Sequence, residues 1–431
     1  MARDAIMSFG LAKPASRWTT LALALVVAFL MIEGSARNWL AARAFDSNTP
    51  QGRARAVALE PGNADDWYRL GLNRMLDFEN ADPQAAIEAF QRAVSIDPRS
   101  AGNWMALGDA HEQTGEISQA RQSFETAVAD YPDSGEVHWR YGSFLLRQGD
   151  LQQAYAEIHR ALLSTPTLTT LAVSRVWRVT QDPQILITEV LPENDRVMSD
   201  ALTWLIDAQQ PQGALAVWNQ MVRIAHPVPL KVSAPLVDLL VSKDQGDAAQ
   251  NVWRQALALS GTDASGLTPQ SLVFNGGFET DPVNDGLDWR WNPVPGITYA
   301  YDTSHQHSGR RALSVTFDGS RNLNYHDVLQ PVPVEPNTRY HFSAALRTAG
   351  ISTDNGVGLT LTFSTQPSIS LESLTGDHDW LTQQVDFTTG PNTHIVQIAL
   401  NRNPSQKFDN KLAGTIWLDD VTLTPLGPAR P

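Results

Sequence analysis

Three patterns of hydrophobic and polar positions follow one another along the chain. The first is an uncharged apolar run, WTTLALALVVAFLMI, from Trp18 to Ile32. The second has helical spacing and recurs. Trp104, Leu107, Gly108, Ala120, Phe124, Ala127 and Pro132 form one unit, and Gly142, 34 residues after Gly108, opens the same series through Gly149, Ala154, Ile158, Ala161 and Pro166. An earlier unit reads Trp67, Leu70, Gly71, Ala86, Phe90, Ala93 and Pro98, with a longer turn around Asp77–Asp82. The third pattern alternates. Leu313, Val315 and Phe317 form one series; Tyr340, Phe342, Ala344 and Leu346 another; then Leu359, Leu361 and Phe363, and Val396, Ile398 and Leu400. Period 3.6 predicts amphipathic helices and period 2 predicts half-buried strands. The chain is therefore read as multidomain α plus β, with an N-terminal membrane or signal helix, an α-solenoid and a C-terminal antiparallel β-sandwich.

The boundaries that follow are a cytoplasmic N-terminus (1–17), a transmembrane anchor or signal peptide (18–40), a solenoid (41–259), a linker (260–268), a sandwich (269–427) and a tail (428–431). Trp18 and Trp39 lie roughly 31 Å apart along a helix, close to the thickness of a hydrocarbon core, and fit an interfacial belt. Two readings of this segment stand. One is a retained signal anchor. The other is a cleaved signal peptide with Gly34 and Ala36 before the cut. Arg3, Lys13 and Arg17 precede the run and Arg37, Arg43, Arg53 and Arg55 follow it, so charge does not set the topology.

The 34-residue units resemble the tetratricopeptide repeat. Small residues at Gly71, Gly108 and Gly142, and at Ala86, Ala120 and Ala154, let paired helices approach closely, and a proline ends each second helix. Ala54–Pro61 resembles the second helix of a truncated earlier repeat. The signature fades after Pro166, yet helix pairs continue as Val197–Gln209 with Gln212–Ile224 and Pro229–Lys243 with Asp247–Leu259. The resemblance implies a concave groove carrying Tyr68, Met105 and Trp139, with Asp109, Ser143 and Arg147 nearby, which would hold a protein partner. Packing inside the protein is the other reading of that stripe.

The third segment opens with LVFNGGFE (Leu272–Glu279), passes HSGRRALSV (His307–Val315) and YHFSAALR (Tyr340–Arg347), and closes on GTIWLDDVTL (Gly414–Leu423). These motifs resemble carbohydrate-binding modules of families four and nine, which are galactose-binding-like jelly rolls. The resemblance implies a polysaccharide ligand and a structural Ca2+ held by the Glu279 side chain, Asp420, and backbone oxygens near Gly277 and Gln306. Sugar binding needs aromatic faces and hydroxyl partners. The residues chosen for it are Trp291, Tyr299 and Tyr325, with Gln397 and Asn401, and with Tyr301 and Trp417 in reserve. Trp289 is assigned to the core, as is Trp380.

Composition narrows the function further. There is no cysteine, which removes disulfides, thiolate zinc sites and cysteine nucleophiles. A formal net charge of −14 makes the chain a poor nucleic-acid binder. Acids in the third segment (Asp302, Asp327, Asp379, Asp386, Asp409) scatter through turn-like stretches, and no phosphate loop or nucleophile elbow appears. The expectation is a non-enzymatic protein of the bacterial inner membrane. Its bulk would be periplasmic or extracytoplasmic, or secreted if the signal is cleaved. It would dock a protein on its repeats and bind a polysaccharide during envelope or exopolysaccharide assembly or export. The alternative is a pure scaffold whose jelly roll binds no sugar.

Overall fold

The computed structural model describes residues 14–47, 49–77, 81–224, 228–261 and 271–428. Most of the expected N-terminal segment 1–17, most of the linker 260–268 and all but the first residue of the tail 428–431 lie outside the described residues. The chain divides into two compact units, Met1–Leu168 and Thr169–Pro431.

The first unit is helical. It comprises α1 (Pro14–Asp46), α2 (Pro50–Leu59), α3 (Ala64–Leu76), α4 (Pro83–Ile96), α5 (Ala101–Gln113), α6 (Ile117–Asp130), α7 (Gly135–Gln148) and α8 (Leu151–Ser164). Local chemistry sets the starts. The side chains of Asn63, Asp82 and Ser100 accept a backbone N–H of the following turn, and Pro50 and Pro83 occupy the first helical position. Helices pair as α3 with α4, α5 with α6 and α7 with α8. The predicted glycines permit this: a Cβ at Gly71 would lie 2.5 Å from Phe90, at Gly108 2.9 Å from Phe124, and at Gly142 2.9 Å from Ile158.

The α1 helix is long and apolar enough to cross a membrane by length and composition, and its apolar stretch is unburied. It does not stop at the end of that stretch. Its last turns pair with α2: Ala41 is 1% exposed, and the Arg37 guanidinium donates to the Leu59 carbonyl at 2.8 and 3.2 Å. Arg53 and Arg69 both lie over the Phe45 ring. The helix expected at Ala54–Pro61 thus has its partner in the tail of α1.

The second unit begins with α9 (Thr169–Thr180) and α10 (Pro183–Ile185), which runs into a π-helical turn at Leu186–Val190. It continues through α11 (Asp195–Asp207), α12 (Pro211–Ile224), α13 (Leu230–Ser242) and α14 (Gly246–Ser260). The sandwich follows with β1 (Ile297–Asp302), β2 (Ala312–Asp318), β3 (Leu329–Pro333), β4 (Thr338–Ile351), β5 (Gly358–Phe363), β6 (Ile369–Ser370), β7 (Gly376–Thr388), β8 (Ile395–Asn401) and β9 (Ala413–Pro428). A five-stranded sheet β1-β2-β9-β4-β7 faces a four-stranded sheet β3-β8-β5-β6, and the pairings are antiparallel. The alternating residues Leu313, Val315, Phe317, Phe342, Leu359, Leu361, Val396 and Ile398 fill the space between them.

The compact units do not follow the predicted border near residue 260, because α13 and α14 are bolted to the sandwich. Trp253 of α14 meets Phe274 edge-on at 5.8 Å. A Cβ at Gly286 would lie 2.2 Å from the Trp253 ring, and one at Gly246 would lie 2.2 Å from the His394 carbonyl oxygen. Arg290 pairs with Asp238 of α13, and Ser364 donates to Asp244 at 3.2 Å.

Candidate functional site

The aromatic residues chosen for sugar binding separate by depth. The backbone of Arg290 pairs with Leu329, which extends the four-stranded sheet beyond β3 and carries Trp291 against β1. There Trp291 stacks on Tyr299 (5.7 Å between ring centroids, 26° between planes) and meets Tyr301 edge-on. The Arg311 guanidinium lies 4.2 Å from the Tyr301 ring centroid. All three rings are half-buried against the core, and burial pushes the Tyr299 and Tyr301 hydroxyls up to about 12. Tyr325 is 2% exposed and packs edge-on against Phe317. It belongs to the core and cannot offer a ring face to a ligand. Its place follows from the backbone bridge between Tyr325 and Arg402, which turns the ring inward.

Gln397 and Asn401 sit elsewhere, on the outer face of the four-stranded sheet. On β8, Val396, Ile398 and Leu400 point inward, so Gln397 and Asn401 point outward beside Thr362 and Gly358 of β5. That face is polar there. Toward β3 it is apolar and already covered, since Pro331, Pro333 and Ile395 are buried and α14 packs against β3. The predicted sugar site is therefore two places, an aromatic cluster at the β1 edge and a polar row on the opposite sheet.

The Glu279 stem and the Asp419 and Asp420 carboxylates lie around Gly277. A Cβ at Gly277 would lie 3.7 Å from Asp419 Oδ1 and 3.9 Å from Asp420 Oδ1 and from the Glu279 side chain. Glu279 accepts the N–H groups of Arg310 and Arg311 and the Arg310 guanidinium; against its burial, these lower its pKa. Asp420 accepts from Ser308 Oγ at 2.7 Å and lies 2.6 Å from His307 Nδ1. Fully buried Asp419 accepts three backbone N–H groups, yet burial still raises its pKa. Gln306 is exposed on the same turn. As placed, each carboxylate faces a hydrogen-bond donor, and no group of three His, Asp or Glu side chains among the described residues is disposed as an ion's ligand set. Beside this corner opens a cavity of about 620 Å3 lined by Glu279, Asp281, Asp288, Arg310 and Arg311. Burial raises the Asp288 pKa to about 7, against the opposing N–H groups of Val283 and Trp289.

In the first unit, Tyr68 and Met105 line a concavity of about 510 Å3 together with Arg99, Tyr131, Glu136 and Arg140. Asp109 and Arg147 are engaged between α5 and α7: Arg140 donates to Asp109 at 3.0 Å, and Arg147 grips Glu112 with two bonds of 2.6 and 2.8 Å. Met105, Trp139 and Ser143 are buried, so these three members of the expected groove are packing residues, with Met105 at the floor of the concavity.

Comparison with known proteins bears on both regions. Residues 77–137 and 115–170 match the tetratricopeptide repeat model, and residues 270–407 match a carbohydrate binding domain model. This chain carries tetratricopeptide repeats and a carbohydrate-binding-type domain. A TPR repeat-containing protein of Pseudomonas aeruginosa is 32% identical over 68 residues, which is 16% of this chain and 64% of that protein. The chain thus spans less than two thirds of the curated relative it matches. Among solved structures, MamA is similar at 24% identity over 31% of this chain and 79% of its own, with a TM-score of 0.27. A family 4 carbohydrate-binding module is similar at 18% identity over 36% of this chain and 99% of its own, with a TM-score of 0.27.

Within the carbohydrate-binding-type domain, sequence reasoning placed Trp289 correctly in the core but Trp380 wrongly. Trp380 is half-buried beside His307, at 5.5 Å between rings. The family resemblance implied Asp420 as a ligand and passed over its neighbour Asp419. Here Asp420 takes a φ of 46°, a local irregularity that brings both carboxylates to one corner. Sequence reasoning also missed Phe408, since a lone aromatic between Lys407 and Asp409 carries no periodic signal.

Proposed function

We propose that this protein is a membrane-anchored, non-enzymatic adaptor of the bacterial envelope, with a protein held by the tetratricopeptide repeats and a polysaccharide held by the sandwich. The observation that carries the reading is the joining, in one chain, of repeats to a carbohydrate-binding-type domain behind a helix apolar enough to span a bilayer. Both module types work by binding. The concavity beside Tyr68 offers an aromatic ring and Arg140 to an extended peptide. The continuation of α1 into the first helix pair favours retention of that helix, with the remainder of the chain extracytoplasmic.

Polysaccharide retention by the full chain in detergent, followed by analysis of the products, tests this reading. Retention without depolymerisation is the expected result. Retention of no glycan by a folded chain favours the pure scaffold, and new reducing ends would mark an enzyme. The proposed Ca2+ would draw on the Glu279 side chain, Asp420 and backbone oxygens near Gly277 and Gln306, hard oxygen donors of the kind that ion prefers. Calcium would raise the thermal midpoint and chelation reverse it; a midpoint indifferent to both counts against the ion.

A further inference from the structure

Among the described residues, the polar row of Gln397 and Asn401 has no aromatic partner on the outer faces of β5 and β8, and Trp291 and Tyr299 are turned against one another. Phe408, by contrast, is 105% exposed, while the next most exposed large hydrophobic side chain of the sandwich, Leu426, is 49% exposed. A single exposed apolar residue ordinarily needs no account. Here the loop that presents it is stitched in place. Arg402, 1% exposed, donates to the carbonyls of Asn355, Leu323 and Asn410 and to the Asn322 side chain. Asn322 in turn binds both the N–H and the carbonyl of Ser405, and Lys407 reaches Asp354 at 3.1 Å. Asn355 donates to the carbonyls of Asn403 and Pro404. A buried cation with several hydrogen bonds is a costly way to hold a loop unless its conformation matters.

We propose that Phe408 is the aromatic platform of a glycan site at the end of the sandwich, formed by the 402–411 loop and the adjoining ends of β5 and β8, where Gly358 pairs with Asn401. This rests on the reading that the sandwich binds polysaccharide, and it names the residue and the ligand class. The ring supplies a flat apolar face, and the amides of Asn403, Gln406 and Asn410 supply both donors and acceptors for hydroxyls. Among the exposed charges, Lys407 and Lys411 are balanced by Asp354 and Asp409, and the remaining cation, Arg402, is buried and bonded to backbone carbonyls, so no exposed excess of charge selects an anionic chain or an anionic lipid surface. The ligand class is a neutral polysaccharide.

Affinity electrophoresis of the full chain in detergent tests this, with laminarin, xyloglucan and galactomannan as neutral probes and alginate as the acidic one. The expected result is retardation by a neutral probe, weakened at least about tenfold in Phe408→Ala and kept in Phe408→Trp. Retardation that Phe408→Ala leaves unchanged, or that only alginate produces, overturns the Phe408 site while the glycan reading stands. Retardation of the native chain by none of the probes overturns the glycan reading and this site with it.

Discussion

At the residue scale, one position recurs with changing chemistry. The indole N–H groups of Trp67 and Trp104 donate to the carbonyls of Pro61 and Pro98, six residues earlier in each repeat. In the third repeat His138 takes that place, with Nε2 2.7 Å from the Pro132 carbonyl. A carbonyl only accepts, so Nε2 carries a proton. Its Nδ1 lies 2.6 Å from the buried Glu157 carboxylate, which favours a second proton. The Glu157 hydrogen bond therefore raises the His138 pKa against the opposing effect of burial, with help from Pro132. A folded pKa above 6.5 means the stabilisation is complete below that value and lost as pH rises through the folded pKa. The thermal midpoint should accordingly fall as the pH rises above about 6.5, and Glu157→Gln should flatten that slope. A slope that survives the substitution would count against His138. The glycines follow a second rule. Gly108→Ala must force apart α5 and the Phe124 ring, at about 1–3 kcal/mol. Urea unfolding measures this, and a change under about 0.5 kcal/mol would show that the ring simply moves aside.

At the scale of elements, α1 joins two roles. Its apolar part fits a hydrocarbon core, and its last turns supply the partner of α2. Cleavage after Ala36 would leave Arg37, Ala41 and Phe45 on a new, fraying terminus. A chain tagged at both ends and expressed in a bacterium should keep both tags on one carbonate-resistant membrane species. A shortened, soluble product lacking the N-terminal tag would show signal-peptide processing. The alternative left open by the charges around the segment thus acquires a physical criterion, the burial of residues downstream of the cut. The polar row on β8 teaches a related lesson. Alternation identified the outward residues Gln397 and Asn401 correctly, but it could not reveal that α14 already covers the β3 side of the same face.

At the scale of the molecule, the compact unit that contains the sandwich also contains α9–α14. Trp253 and Asp238, on α14 and α13, and Asp244, in the turn between them, all lie in the segment that the repeat pattern assigns to the solenoid, yet all reach the sandwich. Residues 169–431 should therefore fold as a soluble fragment, whereas 271–428 alone should lose the cover of Phe274 and aggregate or unfold at lower temperature. Equal midpoints for the two fragments would show that the helices are dispensable. The amino-acid sequence by itself determined the apolar helix, the helix pairs, the strands and the inward rows of the sandwich. Those features rest on periods of 3.6 and 2 and on glycines and prolines whose backbone limits are local. Only the tertiary structure decided that Tyr325, Trp139 and Ser143 are buried, that Asp419 joins Asp420 at one corner, and that Phe408 stands free. Burial is a property of what arrives from elsewhere in the chain, and periodicity names the face of an element without naming what covers it.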